Sequence, residues 1–329
     1  MEPGVVVSSS ALAELHRRLG PAARLGEPLG RYTSARVGGP ADLFVGAQSS
    51  DELVCAVEQA AALGVPWRII GSASNLLIAD EGVEGLVVKA ATSGVRLWPH
   101  QDTGGVLVQA EAGAIFAAVA KQTALRGLRG LEWAVNVPGT IGASVVNNSG
   151  AFGSCAAEHL VEVLLHVPRV GAHTVPAEDL GLAYRTSRLK RGELLGVVLT
   201  ATFRLVPDDP TSLRQRTQQI RQMRRATQPS GYSVGSMFTN PPGDAAGRLI
   251  EAAGLKGHRV ADAEISALHA NFMLNRRAAR ARDMFRLMQL VQSEVWERSR
   301  VWLVPEIEFV GRWSDTELQG LYVPPETGS

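Results

Sequence analysis

The run from Trp133 to Ala157 carries no charged side chain. It is long enough to span a bilayer, for which about 20 apolar residues suffice. Pro138, four glycines and three asparagines inside it argue against a membrane helix. A polar, glycine-rich stretch of this length in mid-chain must fold as loops whose backbone groups find partners elsewhere. It contains Pro138-Gly139-Thr140-Ile141-Gly142 and then Asn148-Ser149-Gly150-Ala151-Phe152-Gly153. A second loop of the same kind, Gly71-Ser72-Ala73-Ser74-Asn75-Leu76-Leu77, directly follows the apolar Trp67-Arg68-Ile69-Ile70. Such loops aim backbone N–H groups and small hydroxyls at one point, a nest for phosphate oxygens. Glycine lets the backbone come close to a ligand and take positive φ. Singly, each loop reads first as a solvated turn. The G-x-G-x-x-G and G-x-x-x-x-G-K-[ST] fingerprints are absent. Two nests without either fingerprint point to another kind of dinucleotide fold.

A chain of 329 residues suggests two or three domains. With 45% apolar and 20% charged residues, global disorder is excluded. The formal net charge is +1, and no block of like charges stands out. No field holds a nucleic acid, so an anionic ligand must be caught by local groups. The basic residues are nearly all arginine, against lysines only at 89, 121, 190 and 256, a bias that reflects genome composition. Cys55 and Cys155 alone give neither a disulfide framework nor a cysteine-rich metal site, and suit a reducing compartment. The start, Met-Glu-Pro-Gly-Val-Val-Val, lacks the pattern of a signal peptide, so a cytoplasmic location is expected.

The patterning predicts an amphipathic helix and polar lead-in over 1–30, and a strand at 41–45. Ser49 and Glu52 form a capping box opening a helix to Gly64. Strands are expected at 67–70, 86–88, 95–97 and 106–108, a helix over 114–126, and loop over 134–153. Further strands lie near 160–167 and 196–205, and a basic helix over 211–225 stops before Pro229. Composition shifts after Gly231. Asp244 can cap a helix to Ala253, strands follow near 259–263 and 271–274, and a helix over 279–298 leads to a strand at 306–310. This tail reads as a βαβ-like unit, and the class is α+β.

Gly231-Tyr232-Ser233-Val234-Gly235 matches the nucleophile elbow, which needs a strand before it and a helix after. A helix precedes it here, so a plain turn is the simpler reading and a serine hydrolase using Ser233 the rival. The seven histidines are scattered, with no metal-ligand spacing, and no metal is expected. In Tyr184-Arg185-Thr186-Ser187, the arginine is either a surface residue or a fork for a carboxylate. Glu306, after Pro305, is either a solvated strand end or a positioned catalytic group. Ser236 sits in a small turn, Gly235-Ser236-Met237-Phe238-Thr239-Asn240-Pro241.

In order, these segments resemble the UDP-N-acetylenolpyruvoylglucosamine reductase family, flavoenzymes that complete UDP-N-acetylmuramate. The likeness runs from about residue 31 to 311. It rests on Arg36-Val37-Gly38-Gly39-Pro40-Ala41-Asp42, both Gly/Ser loops, Tyr184-Arg185-x-Ser187 and Gly235-Ser236-x-Phe238-x-Asn240-Pro241. It continues through Ala246-Gly247-x-Leu249-Ile250-Glu251-x-Ala253-Gly254-Leu255-Lys256-Gly257, His269-Ala270-Asn271-Phe272 and Pro305-Glu306. The resemblance implies a vanillyl-alcohol-oxidase/p-cresol-methylhydroxylase-type FAD-binding domain of two subdomains, 1–90 and 91–228. A C-terminal α+β substrate domain, 229–329, follows. The 51-residue step from Arg185 to Ser236 resembles the class without the long substrate-covering loop.

The family implies non-covalent FAD, NADPH as co-substrate and a UDP-linked enolpyruvyl sugar as substrate, in peptidoglycan precursor synthesis. It implies a monomer, with neither nucleic acid nor membrane as partner. By resemblance, FAD is held by Gly71, Ser72, Ala73, Ser74, Asn75 and Leu76, and by Pro138, Gly139, Thr140, Gly142, Asn148, Gly150 and Gly153. Arg185 and Glu306 stand at the substrate carboxylate, and Ser236 gives a proton to the α-carbon. Arg185 steadies the developing enolate. Glu306 helps only if protonated or hydrogen-bonded through a donor, and Ser236 works through placement. Tyr184, Asn240 and Lys256 are implied contacts to the nucleotide-sugar. The chain departs from the family at Ala73, Asn136 and Ala143, where glycine is usual, at Thr239, where a base is usual, and at Ala35, where an aromatic is common. A methyl at a former glycine crowds FAD where φ is positive. A divergent paralogue acting on a related enolpyruvyl nucleotide is the alternative within the fold, as is a binder without turnover.

Overall fold

The computed structural model describes residues 8–100 and 104–324, so the unusual N-terminal start lies outside the described residues. In chain order the helices are α1 (Ser9–Leu19), α2 (Ser50–Ala62), α3 (Phe116–Leu125), α4 (Ile141–Val146), α5 (Pro210–Thr227), α6 (Ala246–Ala252), α7 (Ala281–Ser299) and α8 (Asp315–Tyr322). The strands are β1 (Ala23–Pro28), β2 (Pro40–Ala47), β3 (Trp67–Ile70), β4 (Leu76–Ile78), β5 (Val83–Ala90), β6 (Val95–Pro99), β7 (Val106–Glu111), β8 (Leu128–Arg129) and β9 (Gly150–Ala151). There follow β10 (Ser154–Cys155), β11 (Leu160–Val167), β12 (Gly171–Pro176), β13 (Val197–Pro207), β14 (Tyr232–Ser236), β15 (Arg259–Val260), β16 (Ala263–Ile265), β17 (Phe272–Asn275) and β18 (Glu308–Val310).

Contacts divide the chain into two compact, interleaved units. The first holds the residues up to Leu25, Leu43–Ser72 and Gly85–Arg224; the second holds Gly26–Asp42, Ala73–Glu84 and the chain from Arg225 onward. The sequence instead suggests three consecutive segments.

Two sheets build the first unit. One has the order β1-β2-β5-β3, with β3 parallel to β5. Leu15 of α1 and Leu53 and Val57 of α2 pack with Leu43, Val45, Leu86 and Val88 in one core. The other sheet is antiparallel, ordered β12-β11-β13-β7-β6, with β8 also paired to β13. β13 opens with buried Val197, Val198 and Leu199, the continuous apolar run of a strand covered on both faces. Phe116 of α3 meets Trp133 edge-on at 5.5 Å and stacks on Phe203 at 6.3 Å, which anchors the core beneath α3.

The second unit centres on the antiparallel sheet β14-β17-β16-β15. Helix α7 buries Met284, Phe285, Leu287, Met288, Val291 and Val295 at helical spacing. Phe285 stacks on Trp313 at 5.2 Å. β18 pairs parallel with β4, Glu308 opposite Leu76 and Val310 opposite Ile78.

Six expectations are corrected. The 134–153 loop contains α4, whose six residues are too few, with Gly142 among them, for a helical period to be read. β12 was not expected, because only its Val175 is buried. The tail is not a βαβ unit: β18 leaves the sheet of β14–β17 for β4, and Glu306 precedes the strand. Asp244 does not cap α6. Its carboxylate takes the Ala245 N–H (2.7 Å) and pairs with Arg248, while Asn240 Oδ1 accepts from Ala246, the first residue of the helix (3.1 Å). The strand expected at 259–263 is a hairpin, β15–β16, turned at Ala261 with φ 51°. At α2, Ser49 Oγ accepts from the Glu52 N–H as expected, but the Glu52 carboxylate takes the N–H of Gln48, one residue early. No helix among the described residues is long and apolar enough to cross a membrane.

Candidate active site

In the first unit the two Gly/Ser loops touch. A Cβ on Gly71 would stand 2.3 Å from Thr140 Oγ1, which no real contact allows, so glycine is required there. The second loop is pinned by backbone bonds from Phe116 N–H to Gly139 O (3.1 Å), Ile141 N–H to Ala114 O (2.9 Å) and Gly142 N–H to Ala112 O (2.8 Å). Its far end is the β9–β10 hairpin, where Phe152 (φ 55°) and Gly153 (φ 81°) supply the two left-handed residues a tight I′ turn demands.

Arg185 sits at the tip of a turn closed by mutual backbone bonds between Ala183 and Thr186 (3.1 and 3.2 Å). Its own φ is 58°, and its guanidinium lies 5.7 Å from the ring of Tyr184, itself largely exposed. Lys190 Nζ donates to Arg185 O (3.0 Å). Two side chains strap this turn to the second loop. Asn148 Nδ2 donates to Ala183 O (3.0 Å), and Ser187 Oγ donates to Val146 O (2.6 Å). Asn148 Oδ1 also accepts from Ala157 (3.0 Å), so both ends of that side chain are engaged within the protein.

In the second unit Ser236 and Glu306 lie on neighbouring chain segments. The Glu306 N–H donates to Met237 O (2.8 Å), and Phe238 and Pro305 form an antiparallel bridge. Asn75 holds the second of these segments: its Nδ2 donates to Glu306 O (3.0 Å) and its O accepts from Glu308 (2.9 Å). The β14–β17 pairing slips between Ser233 and Ser236, re-aiming the strand end that carries Ser236. Asn271 clamps the segment, accepting from Phe238 N–H (3.0 Å) and donating to Phe238 O (2.7 Å). Its role was not read from the sequence; its place in His269-Ala270-Asn271-Phe272 was the available signal. Burial, and then Lys256, hold the His269 imidazole below its usual range, which keeps Nδ1 free to accept from Asn271 (3.3 Å).

Other expected contacts are engaged internally. Lys256 pairs with Glu251 (2.6 Å), and Asn240 Oδ1 serves α6. Thr239 Oγ1 donates to Val304 O (3.2 Å). Of the three departures from glycine, only Ala73 has positive φ, 44°. Ser233 lies inside β14 with its Oγ accepting from Gly235 (3.0 Å), so the strand-turn-helix setting of a nucleophile elbow is absent.

An FAD-binding domain family matches residues 41–170, the span that holds both loops. The protein is therefore a flavoprotein with an α+β fold. The family described as UDP-N-acetylenolpyruvoylglucosamine reductase, C-terminal domain, matches residues 227–310. The chain is 46% identical over 301 residues to the UDP-N-acetylenolpyruvoylglucosamine reductase of Rubrobacter xylanophilus, covering 90% of this chain and 97% of that one. It is 41% identical to the same-named protein of Chloroflexus aggregans, covering 87% and 97%. The crystal structure of UDP-N-acetylenolpyruvylglucosamine reductase from Thermus caldophilus superposes with a TM-score of 0.71 at 32% identity, covering 88% of this chain and 98% of that one. The chain belongs to the UDP-N-acetylenolpyruvoylglucosamine reductase family and is an oxidoreductase. Its residues fit FAD: a buried amide oxygen on Asn147 has no hydrogen-bond partner among the described residues.

Proposed function

We propose that the protein reduces UDP-N-acetyl-3-O-(1-carboxyvinyl)-glucosamine to UDP-N-acetylmuramate with NADPH, in peptidoglycan precursor synthesis. The observation that carries this reading is the backbone pairing that sets the Ser236-Met237-Phe238 segment beside Pro305-Glu306. A hydroxyl and a carboxyl carried on backbone-paired segments suit the protonation of an enolate carbon. Bound FAD supplies the two-electron chemistry between NADPH and the vinyl group.

Arg185 takes the substrate carboxylate. Its planar guanidinium grips two oxygens, and its fixed charge opposes the negative charge that spreads there as the double bond is reduced. The closed Ala183–Thr186 turn supports this role because it restricts where the guanidinium can reach. Ser236 Oγ delivers the proton to the α-carbon, and Glu306 stands at the same carboxylate. Gly71, Ser72, Ser74, Leu76 and the 138–153 loops hold FAD. Residues 1–90 and 91–228 serve the cofactor and 229–329 the nucleotide-sugar, in a cytoplasmic monomer.

The two half-reactions separate these roles. In rapid mixing, Ser236→Ala should leave flavin reduction by NADPH within about twofold but slow reoxidation by the enolpyruvyl substrate by about 100-fold or more. Equal losses in both halves would remove Ser236 as proton donor.

A further inference from the structure

Two asparagines stand side by side at the end of α4, and the structure separates their roles. The family pattern draws attention to Asn148. Its side chain, however, is committed at both ends, to Ala183 and to Ala157. Asn147 differs. Its Nδ2 donates to Ala143 O at 3.1 Å, one turn back in α4. Only the NH2 group can serve a carbonyl, so this bond fixes which way the amide is turned. Oδ1 is thereby directed away from the helix. It is buried and has no hydrogen-bond partner among the described residues. A buried amide oxygen without a donor is costly and uncommon in native proteins.

Neighbouring side chains do not supply the donor. The Ser187 hydroxyl is given to Val146 O, and the Asn148 amide to Ala183 O. Asn147 lies within the matched FAD-binding span. The residues on either side of it, Val146 and Asn148, are strapped to the turn that carries Arg185. Arg185 is the residue assigned to the reacting carboxylate, so Asn147 belongs with the reacting end of the cofactor and not its adenine end. The oxidised isoalloxazine has one N–H donor, at N3. The enolpyruvyl group has none.

We propose that Asn147 Oδ1 is the acceptor for the isoalloxazine N3–H, and that Asn148 is a strut holding the Arg185 turn. The inference rests on the reading that FAD binds here with its ring near Arg185.

The test compares FAD with N3-methyl-FAD, which lacks the donor, by equilibrium titration of flavin-stripped protein followed by fluorescence. Wild type should bind FAD about 10-fold more tightly than the methyl analogue, one hydrogen bond to a buried acceptor being the difference. In Asn147→Ala, FAD should bind about 10-fold more weakly than in wild type and the preference should fall below about threefold, because the acceptor is gone and the methyl has room. A preference that persists in Asn147→Ala, or an unchanged FAD affinity, would overturn the assignment while leaving FAD binding intact. Wild type that takes up neither flavin would bring down the FAD reading along with it. Asn148→Ala should lower the melting temperature of the flavin-free protein yet keep the wild-type preference between the two flavins. Loss of that preference in Asn148→Ala, with Asn147→Ala unaffected, would reverse the assignment.

Discussion

At the scale of single residues, steric demand and hydrogen-bond demand were not equally visible beforehand. The composition of the loop made Gly71 stand out, and the reason for it is local and severe. Its added Cβ would meet Thr140 Oγ1 at 2.3 Å and Cγ2 at 2.9 Å. Thr140 is buried, so it has little freedom to turn away. Gly71→Ala should therefore destabilise the protein by about 1–3 kcal/mol, the range for overpacking a filled interior. Thr140→Ala removes both clashing atoms. In a urea-denaturation double-mutant cycle it should recover at least about 1 kcal/mol of that loss. Additive effects would show that the two loops do not press on one another. Ala73, two residues on, is the reverse case, a methyl tolerated at φ 44° where glycine would sit without strain. Neither sequence position nor composition could have told that Asn136 and Ala143 avoid positive φ while Ala73 does not. Nor could they show which of two adjacent asparagines is spent, since that depends on Ala157 and Ala183 arriving from later in the chain.

Elements with a strong period were legible, and their ends were less so. Helices α2, α3 and α7 follow from apolar spacing because each lays one stripe on a core. Helix α4 has six residues, too few to show a period, so only its tertiary setting reveals it. Helix starts depend on capping groups, and these are often remote. The N-terminus of α7 is the clearest case. Asp80 Oδ1 accepts from Ala281 (2.9 Å) and Oδ2 from Arg282 (3.0 Å), which occupies two N–H groups that the helix itself cannot satisfy. A carboxylate at this end also meets the positive pole of the helix. Sequence inspection near Arg280 finds only Asp283, which takes the Arg280 N–H (2.9 Å). Asp80→Ala should cost about 1–2 kcal/mol in denaturant unfolding, and Asp80→Asn less, since the amide oxygen still accepts. A change below about 0.3 kcal/mol for Asp80→Ala would mean that water replaces the carboxylate at no cost, and that α7 is set by its apolar face alone.

On the scale of the whole chain, the boundary seen near Gly231 is real as a change of composition, yet it does not delimit a self-sufficient fold. The core of the second unit includes Ala35, Val37, Leu77 and Ala79, all from the N-terminal third of the sequence. β18 has β4 as its partner, and Asn275 Nδ2 donates to Ala35 O (2.9 Å). Burial of Val37 and Leu77 alone contributes about 3–6 kcal/mol at 1.5–3 kcal/mol per side chain. That is comparable with the net stability of a typical domain, about 5–15 kcal/mol. Such pairings join residues far apart in the chain, so no local pattern announces them. It follows that residues 225–329 expressed alone should not unfold cooperatively. Circular dichroism should show a broad, shallow urea response with retained helix from α7, and amide proton spectra should be poorly dispersed. Supplying residues 1–224 in trans should restore a sharp transition, because that fragment carries 26–42 and 73–84. A sharp, two-state transition for the isolated C-terminal fragment would show instead that the sheet β14-β17-β16-β15 with α6 and α7 suffices. The N-terminal segments would then be additions to a finished core.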